Sequence, residues 1–306
     1  MKAEIMVYIE TIKLPSQKEI NDYFSIKNYS LYPWTIFFQN RFEWINCKDI
    51  TIFYGNNGSG KSTLLNLIAE KINAQRNNEF FKDVIFSTVT GEEMHPFDEF
   101  AERIKMRMAI DDDGEERLLP AVRKIITSDS IFKKISDRAL YNKVTVNKIK
   151  KAREEHDRLI RNGRGLLFSS DNYEEYAKLL DARKLSKTQY AKMYADPKEK
   201  MASNGETAIE YYRETFENGG IYLLDEPENC LSPVFQLELI RLIQDAAKYF
   251  DCQFIICTHS PFLLSLADAV IYNLDTEPVI SQKWEELENI KIYFDFFESR
   301  KDKFKS

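Results

Sequence analysis

Three short apolar runs set the pattern of the chain: Ile50-Thr51-Ile52-Phe53-Tyr54, Ile221-Tyr222-Leu223-Leu224 and Cys252-Gln253-Phe254-Ile255-Ile256-Cys257. Short runs with little polar alternation predict parallel strands covered on both faces. The first leads into a glycine-rich stretch and then Leu64, Leu65, Leu67, Ile68 and Ala69 at helical spacing, in a helix that ends near Asn73. Ahead of it, residues 3 to 14 and Trp34-Thr35-Ile36-Phe37-Phe38, after the turn-prone Tyr32-Pro33, predict two more strands. An opening of short strands with no clear helix suits an antiparallel sheet laid against the central one.

Asn73 to Glu79 predicts a polar loop and Val84 to Val89 a strand. From Pro96 to Asn218 the pattern is mostly helical, with breaks at Asp111-Asp112-Asp113-Gly114 and Arg161-Asn162-Gly163-Arg164-Gly165. Trp284 to Ser306 predicts one amphipathic helix, with Ile290, Ile292, Phe294 and Phe297 among charges, that packs on the core or docks an effector. The expected fold class is α/β, with a mixed central sheet, an N-terminal antiparallel sheet and an inserted helical lobe. Residues 1–95 and 219–306 form the core lobe and 96–218 the inserted one.

With 306 residues and 43% apolar content the chain can bury a full core. A net charge of −6 argues against wholesale attraction to nucleic acid or an anionic membrane, so any such binding needs a local patch. Between Arg123 and Arg164 stand 13 basic residues against 5 acidic ones. This stretch, 123–164, is either a contact for a phosphate backbone or a solvated helix face whose Glu154, Glu155 and Asp157 pair with nearby bases. Cys47, Cys230, Cys252 and Cys257 show no C-x-x-C spacing and no histidine at metal spacing, which argues against zinc and against a disulfide scaffold and suits reduced thiols in the cytoplasm. The acidic triplet at 111–113 lacks a calcium-loop pattern and reads as a solvated turn. The first residues are too soon interrupted by Glu10 for a signal peptide, and no window holds about 20 apolar residues, so direct membrane insertion is not expected.

The chemistry concentrates behind the three runs. Gly55-Asn56-Asn57-Gly58-Ser59-Gly60-Lys61-Ser62 meets the phosphate-loop pattern G-x-x-x-x-G-K-[ST] at every fixed position, followed by Thr63. Its glycines let the backbone curl so that N–H groups point at phosphates, and the following helix adds its positive end. Lys61 then reaches the β and γ phosphates of a nucleoside triphosphate and Ser62 holds Mg²⁺. The second run ends in Asp225 and Glu226, a Walker B arrangement in which Asp225 holds the Mg²⁺ shell and Glu226 orients the attacking water. The third delivers Thr258-His259-Ser260-Pro261, where His259 is either a γ-phosphate sensor or a plain end-of-strand residue. His95 and His156 stand in polar stretches and read as surface residues.

The order of phosphate loop, Leu223-Leu224-Asp225-Glu226-Pro227-Glu228 and Thr258-His259-Ser260-Pro261 resembles the ATP-binding cassette (ABC) ATPases. Asp225-Glu226-Pro227-Glu228-Asn229 and Leu231-Ser232-Pro233 look like the soluble RecF, SMC and OLD-type branch, grouped with AAA-family ATPases. The resemblance covers roughly the first 90 and last 105 residues. It implies ATP and Mg²⁺ as ligands and a homodimer that sandwiches two ATP molecules. Ser203-Asn204-Gly205-Glu206 fills the place of the signature motif, with Ala202, Asn204 and Glu206 departing from Leu-Ser-Gly-Gly-Gln. By resemblance, Ser203 donates to the γ-phosphate held by the opposite subunit and Gly205 lets the backbone approach; apart from the family, the same residues make a helix capping box. No Gln stands where the family's Q-loop falls; Val122 to Asp129 has the strand-then-helix character, with Ser128 or Asp129 in its place. Asn229 to Ser232 would be the D-loop, expected at the subunit interface. Tyr29, Tyr32 and Phe38 are either adenine-stacking or packing residues. The implied function is an ATPase that switches on nucleic acid or a partner effector, in genome maintenance or phage defence. The alternative is the motor subunit of a membrane transporter.

Overall fold

The computed structural model describes residues 7–27, 31–37, 42–77, 80, 82, 85–86, 93–162, 173–195 and 203–304. The chain runs through β1 (Ile9–Lys13), α1 (Gln17–Lys27), α2 (Trp34–Phe37), β2 (Trp44–Asn46), β3 (Ile50–Tyr54) and α3 (Lys61–Lys71). It continues through β4 (Gln75–Arg76), β5 (Ile85–Phe86), β6 (Glu93–Met94), α4 (Pro96–Arg103), β7 (Lys105–Met108) and β8 (Val122–Thr127). The helices α5 (Ser128–Asn162), α6 (Tyr173–Lys184), α7 (Lys187–Ala195) and α8 (Asn204–Thr215) follow. Last come β9 (Gly220–Asp225), α9 (Pro233–Tyr249), β10 (Gln253–Cys257), β11 (Val270–Asn273), β12 (Ile280–Ser281) and α10 (Glu288–Glu298).

Two compact units result, one of Met1–Phe132 with Ala208–Ser306 and one of Lys133–Thr207. The first holds a seven-stranded sheet in the order β12-β11-β3-β10-β9-β8-β4. It is parallel except for β12, which pairs antiparallel with β11 at the edge. Every residue of β3 and β10 is buried, as is β9 up to Asp225, which explains why the sequence carries continuous apolar runs there. Register fixes the functional edge: Cys257 sits beside Phe53 on one side and Asp225 on the other, so three strands end level.

An antiparallel sheet, β2-β1-β7, lies in the same unit. The fully buried Gln253 couples the two sheets, because its amide oxygen accepts the Tyr8 and Ile9 N–H groups and its amide nitrogen donates to the Ile9 and Lys48 carbonyls. All its polar capacity in the interior is thereby used.

The structure corrects several expectations. Among the described residues of the 3 to 14 stretch, the strand spans Ile9–Lys13. The opening does contain a clear helix, α1, started by a capping box in which the Ser16 N–H donates to Glu19 Oε2 at 2.8 Å and the Glu19 N–H to Ser16 Oγ at 3.4 Å. Trp34–Phe37 is one helical turn instead of a strand, since Trp34 and Phe37, three apart, must bury on the same side. Trp34 stacks on Tyr23 at 3.7 Å between ring centroids and donates its indole N–H to the Pro96 carbonyl. Within the stretch expected to be mostly helical, β7 is a strand, and Gln75–Arg76 pairs with β8 where a loop is expected; β8 itself is the strand expected from Val122. The predicted 84–89 strand survives as Ile85–Phe86; Val84, Ser87, Thr88 and Val89, like Tyr29, Phe38, Ala202 and the 163–165 break, lie outside the described residues. The acidic triplet is a turn closed by Asp111, which accepts the Asp113 and Glu115 amides.

The last segment is not one helix. A 3-10 turn at Trp284–Glu286 gives way to α10 at the extended Leu287, and a second 3-10 turn follows at Lys301–Phe304. Only Ile290 of α10 is buried, while Ile292, Phe294 and Phe297 face solvent, so the expected packing of this face on the core is not what the chain adopts.

In the second unit, Leu159, Leu179, Ala182 and Tyr190 form one apolar cluster and Ala152, Ala191 and Ala195 another. His156 is not a surface residue: its side chain is 12% exposed and lies edge-on to Tyr190, because it shares the inner face of α5 with Ala152 and Leu159. Among the described residues no helix is long and apolar enough to cross a membrane.

Candidate active site

The loop between β3 and α3 is held by glycines for two different reasons. Gly58 (φ 86°) needs only left-handed backbone, since a Cβ there would meet nothing within 4 Å. Gly60 (φ 91°) needs the space as well, because its Cβ would stand 2.6 Å from Ile36 Cγ2. As the N-cap of α3, Gly60 offers no side-chain acceptor to the first helical amides, which leaves them to an anion. Lys61 is 4% exposed and folds back into the loop, its ammonium donating to the Gly55 carbonyl at 2.7 Å and the Asn56 carbonyl at 3.0 Å. Ser59 Oγ is buried and has no hydrogen-bond partner among the described residues. A curled backbone with an enclosed cation and an unused hydroxyl has the chemistry of a phosphate cradle.

Ser62 Oγ donates to Asp225 Oδ1 at 2.9 Å, bringing the first residue pair of the site together from α3 and β9. Burial pushes the Asp225 carboxyl up to about 6, with the Ser62 hydroxyl and the Lys61 charge acting against the shift and Glu226 acting with it. A buried carboxylate short of positive charge beside a hydroxyl is a hard-oxygen pair, and Mg²⁺ fits it as an ion that takes one or two protein ligands and completes its shell from phosphates and water. No group of three or more His, Cys, Asp or Glu suited to a metal occurs among the described residues.

Beyond the strand end, Glu226 adopts φ 47°, a left-handed conformation uncommon for a non-glycine residue and concentrated at functional sites. Its N–H donates to the Cys257 carbonyl and its Oε2 accepts the Asn229 amide at 3.1 Å. His259 is half exposed, with Nδ1 3.7 Å from Glu226 Oε1 and from Glu228 Oε1. The predicted Glu226 and His259 are therefore neighbours across β9 and β10. Val122–Asp129 is strand then helix, with Thr127 in register with Asp225, so the Ser128–Asp129 junction reaches the same edge. The Tyr32 hydroxyl bonds to Thr63 Oγ1 at 3.1 Å, which places this aromatic residue beside the loop.

Ser203 and Glu206 make the reciprocal capping box at the start of α8: the Ser203 N–H donates to Glu206 Oε2 at 2.7 Å, and the Glu206 N–H to Ser203 Oγ at 3.3 Å. The Ser203 contacts hold the Glu206 carboxyl below its ordinary range. Gly205 is in the first helical turn, and both Ser203 and Gly205 belong to the Lys133–Thr207 unit.

Sequence reasoning missed two carboxylates. Glu228 Oε1 accepts the Thr258 hydroxyl at 2.8 Å and the His259 and Ser260 amides at 3.1 and 3.2 Å. Both oxygens of Asp275 lie 2.9 Å from the Asn56 N–H and so hold the phosphate loop from β11's far side. Glu228 was visible in the Asp-Glu-Pro-Glu stretch; nothing around Asp275 marked it.

A family model described as ABC transporter matches residues 43–229, and one described as AAA ATPase domain matches residues 202–264. Among solved structures, the SMC head domain from Thermotoga maritima is similar at 14% identity, covering 90% of this chain and 99% of that one, with a TM-score of 0.36. CbiO1 from Clostridium perfringens, part of the ABC transporter complex cbiONQ, is similar at 16% identity, covering 97% of both chains, with a TM-score of 0.37. The dimeric post-hydrolysis state of the ATP-binding cassette MJ0796, bound to ADP and Pi, is similar at 17% identity, covering 78% of this chain and 88% of that one, with a TM-score of 0.32. Comparison with curated proteins returns no significant match. With a phosphate loop, a mixed α/β sheet and a family match over more than half its length, the chain belongs to the ABC transporter family as an ATP-binding, ATP-hydrolysing domain.

Proposed function

We propose that the chain is a nucleotide-gated dimeric switch whose cycle is set by ATP binding and hydrolysis. The observation that carries this is the convergence at one sheet edge of Lys61, the Ser62–Asp225 pair and Glu226 with His259. The amides of Gly55 to Thr63 wrap the phosphates, and Lys61 exchanges its loop carbonyls for the β and γ phosphate oxygens. Ser62 and Asp225 hold Mg²⁺, which when bound supplies neutralisation of the phosphate charge. Glu226 orients the attacking water and takes its proton, and His259 hydrogen-bonds the γ-phosphate as charge develops on it. Ser203 and Gly205 meet the ATP held by the other copy, so closure requires both nucleotides.

In this reading the unit that carries the phosphate loop and the central sheet holds nucleotide, and the Lys133–Thr207 unit carries the output, on nucleic acid or a partner effector in the cytoplasm. Support for nucleic acid comes from α5. Lys133, Lys143, Lys148, Lys150, Lys151 and Arg153 are exposed on it. Glu155 and Asp157 pair with Lys178 and Lys187 from α6 and α7, so these two carboxylates do not neutralise that exposed row. The ABC transporter match supports a second reading, a motor that drives a separate membrane subunit.

ATP turnover measured alone and with double-stranded DNA, single-stranded DNA and RNA, with Glu226→Gln as the blank, separates them. Stimulation by one polymer, lost when Lys143, Lys148, Lys150 and Lys151 become Glu, is expected. Turnover indifferent to all three polymers contradicts the nucleic-acid output and leaves the effector or the transporter.

A further inference from the structure

Ile292, Tyr293, Phe294, Phe296 and Phe297 of α10, with Phe304 just beyond it, are each between 47% and 69% exposed. At about 100° per residue the apolar side chains of α10 sweep more than half of its circumference, and Glu288, Lys291, Asp295 and Glu298 share the rest. A hollow of about 530 Å³ bounded by Pro261, Trp284, Ile290, Tyr293, Phe294 and Phe297 runs beside it. With aromatic side chains carrying on the order of 200 Å² each, the six residues leave roughly 600 Å² of apolar surface open, at the upper limit of what a monomer ordinarily exposes.

The charges around this face are self-complementary. Glu285, Glu286 and Glu288 precede or open the helix, and Arg300, Lys301 and Lys303 follow it, all of them exposed. A second copy laid antiparallel brings each acidic end against a basic end; a parallel copy brings like charges together. Two such faces bury about 1,200 Å² in all, the lower end of specific interfaces. From Trp284 to Phe304 acidic residues outnumber basic ones, six to four, which disfavours an anionic bilayer as the occupant.

We propose that α10 and its flanks form a twofold, antiparallel interface between two copies of this chain, independent of nucleotide and distinct from closure on ATP. The test is sedimentation velocity of the whole chain without nucleotide across the micromolar range. A concentration-dependent dimer that weakens as salt rises is expected, as is a loss of about 100-fold or more in affinity for Phe294→Asp with Phe297→Asp. Two further variants guard against misfolding: Glu285→Lys/Glu286→Lys/Glu288→Lys and Arg300→Glu/Lys301→Glu/Lys303→Glu should each self-associate poorly and pair when mixed. A wild-type chain that stays monomeric overturns the proposal. So does a dimer indifferent to all these substitutions, or a monomer that pellets with phosphatidylcholine vesicles through the same phenylalanines.

Discussion

The Glu228 carboxylate accepts the Thr258 hydroxyl at 2.8 Å, and the same oxygen takes the next two backbone amides, so one buried side chain fixes the turn that carries His259. Its other oxygen is buried without a partner among the described residues. Glu228→Ala leaves a buried hydroxyl and two amides unmatched, and about 3 kcal/mol of stability should be lost. Glu228→Gln keeps the accepting oxygen and should fold nearly as well. Thermal melts rank the two. In turnover assays kcat should fall more than the affinity for ATP changes, because His259 moves while Lys61 does not.

Gly58 and Gly60 share left-handed backbone but differ in surroundings. Gly58→Ala should cost only the conformational penalty of roughly 1–2 kcal/mol. Gly60→Ala adds the clash with Ile36 Cγ2 at 2.6 Å, a further 1–3 kcal/mol or so of overpacking. Ile36→Ala should recover the second amount and not the first. Melting temperatures of the three variants and the double variant test this, and equal effects at the two glycines would contradict it.

Burial pushes the Cys47 thiol up to about 12 and raises Cys252 and Cys257 as well. A group whose native pKa lies above its unfolded value stabilises the fold below the unfolded pKa and loses that contribution as pH rises through the interval. The chain should therefore lose stability progressively above about pH 9, as seen in melts across alkaline buffers. At neutral pH a thiol reagent should modify only the half-buried Cys230 in the native protein and all four thiols after denaturation, with Cys230→Ser abolishing the native signal.

The legible parts of the site were those where chemistry dictates residue type at fixed spacing. Gly55 to Ser62 needs glycines for curvature, a cation and a hydroxyl, and Asp225 and Glu226 end an apolar run, so both stood out along the chain. Asp275 did not, because its partner is a backbone N–H 219 residues away and many polar residues offer an acceptor. In the fold, β3, β9 and β10 were plain because burial on both faces erases alternation. Trp34–Phe37 misled because β-branched and aromatic residues favour strands until tertiary burial on one side selects a helical turn. The α1 helix was marked by Ser16 and Glu19, a signal overshadowed by its weak apolar face. The periodicity of α10 was readable, but periodicity gives a helix its apolar side without saying what covers it.

On the proposed cycle, ATP held by Lys61, Ser62 and Asp225 closes two copies until Glu226 triggers hydrolysis, and the sharpest check uses Glu226→Gln combined with Phe294→Asp and Phe297→Asp, which removes any nucleotide-free pairing through α10. Sedimentation equilibrium is run without nucleotide, with Mg²⁺ and ATP, and with Mg²⁺ and ADP. A dimer is expected with ATP only, holding one unhydrolysed ATP per chain and abolished by Lys61→Ala. A protein that binds ATP and stays monomeric would contradict it.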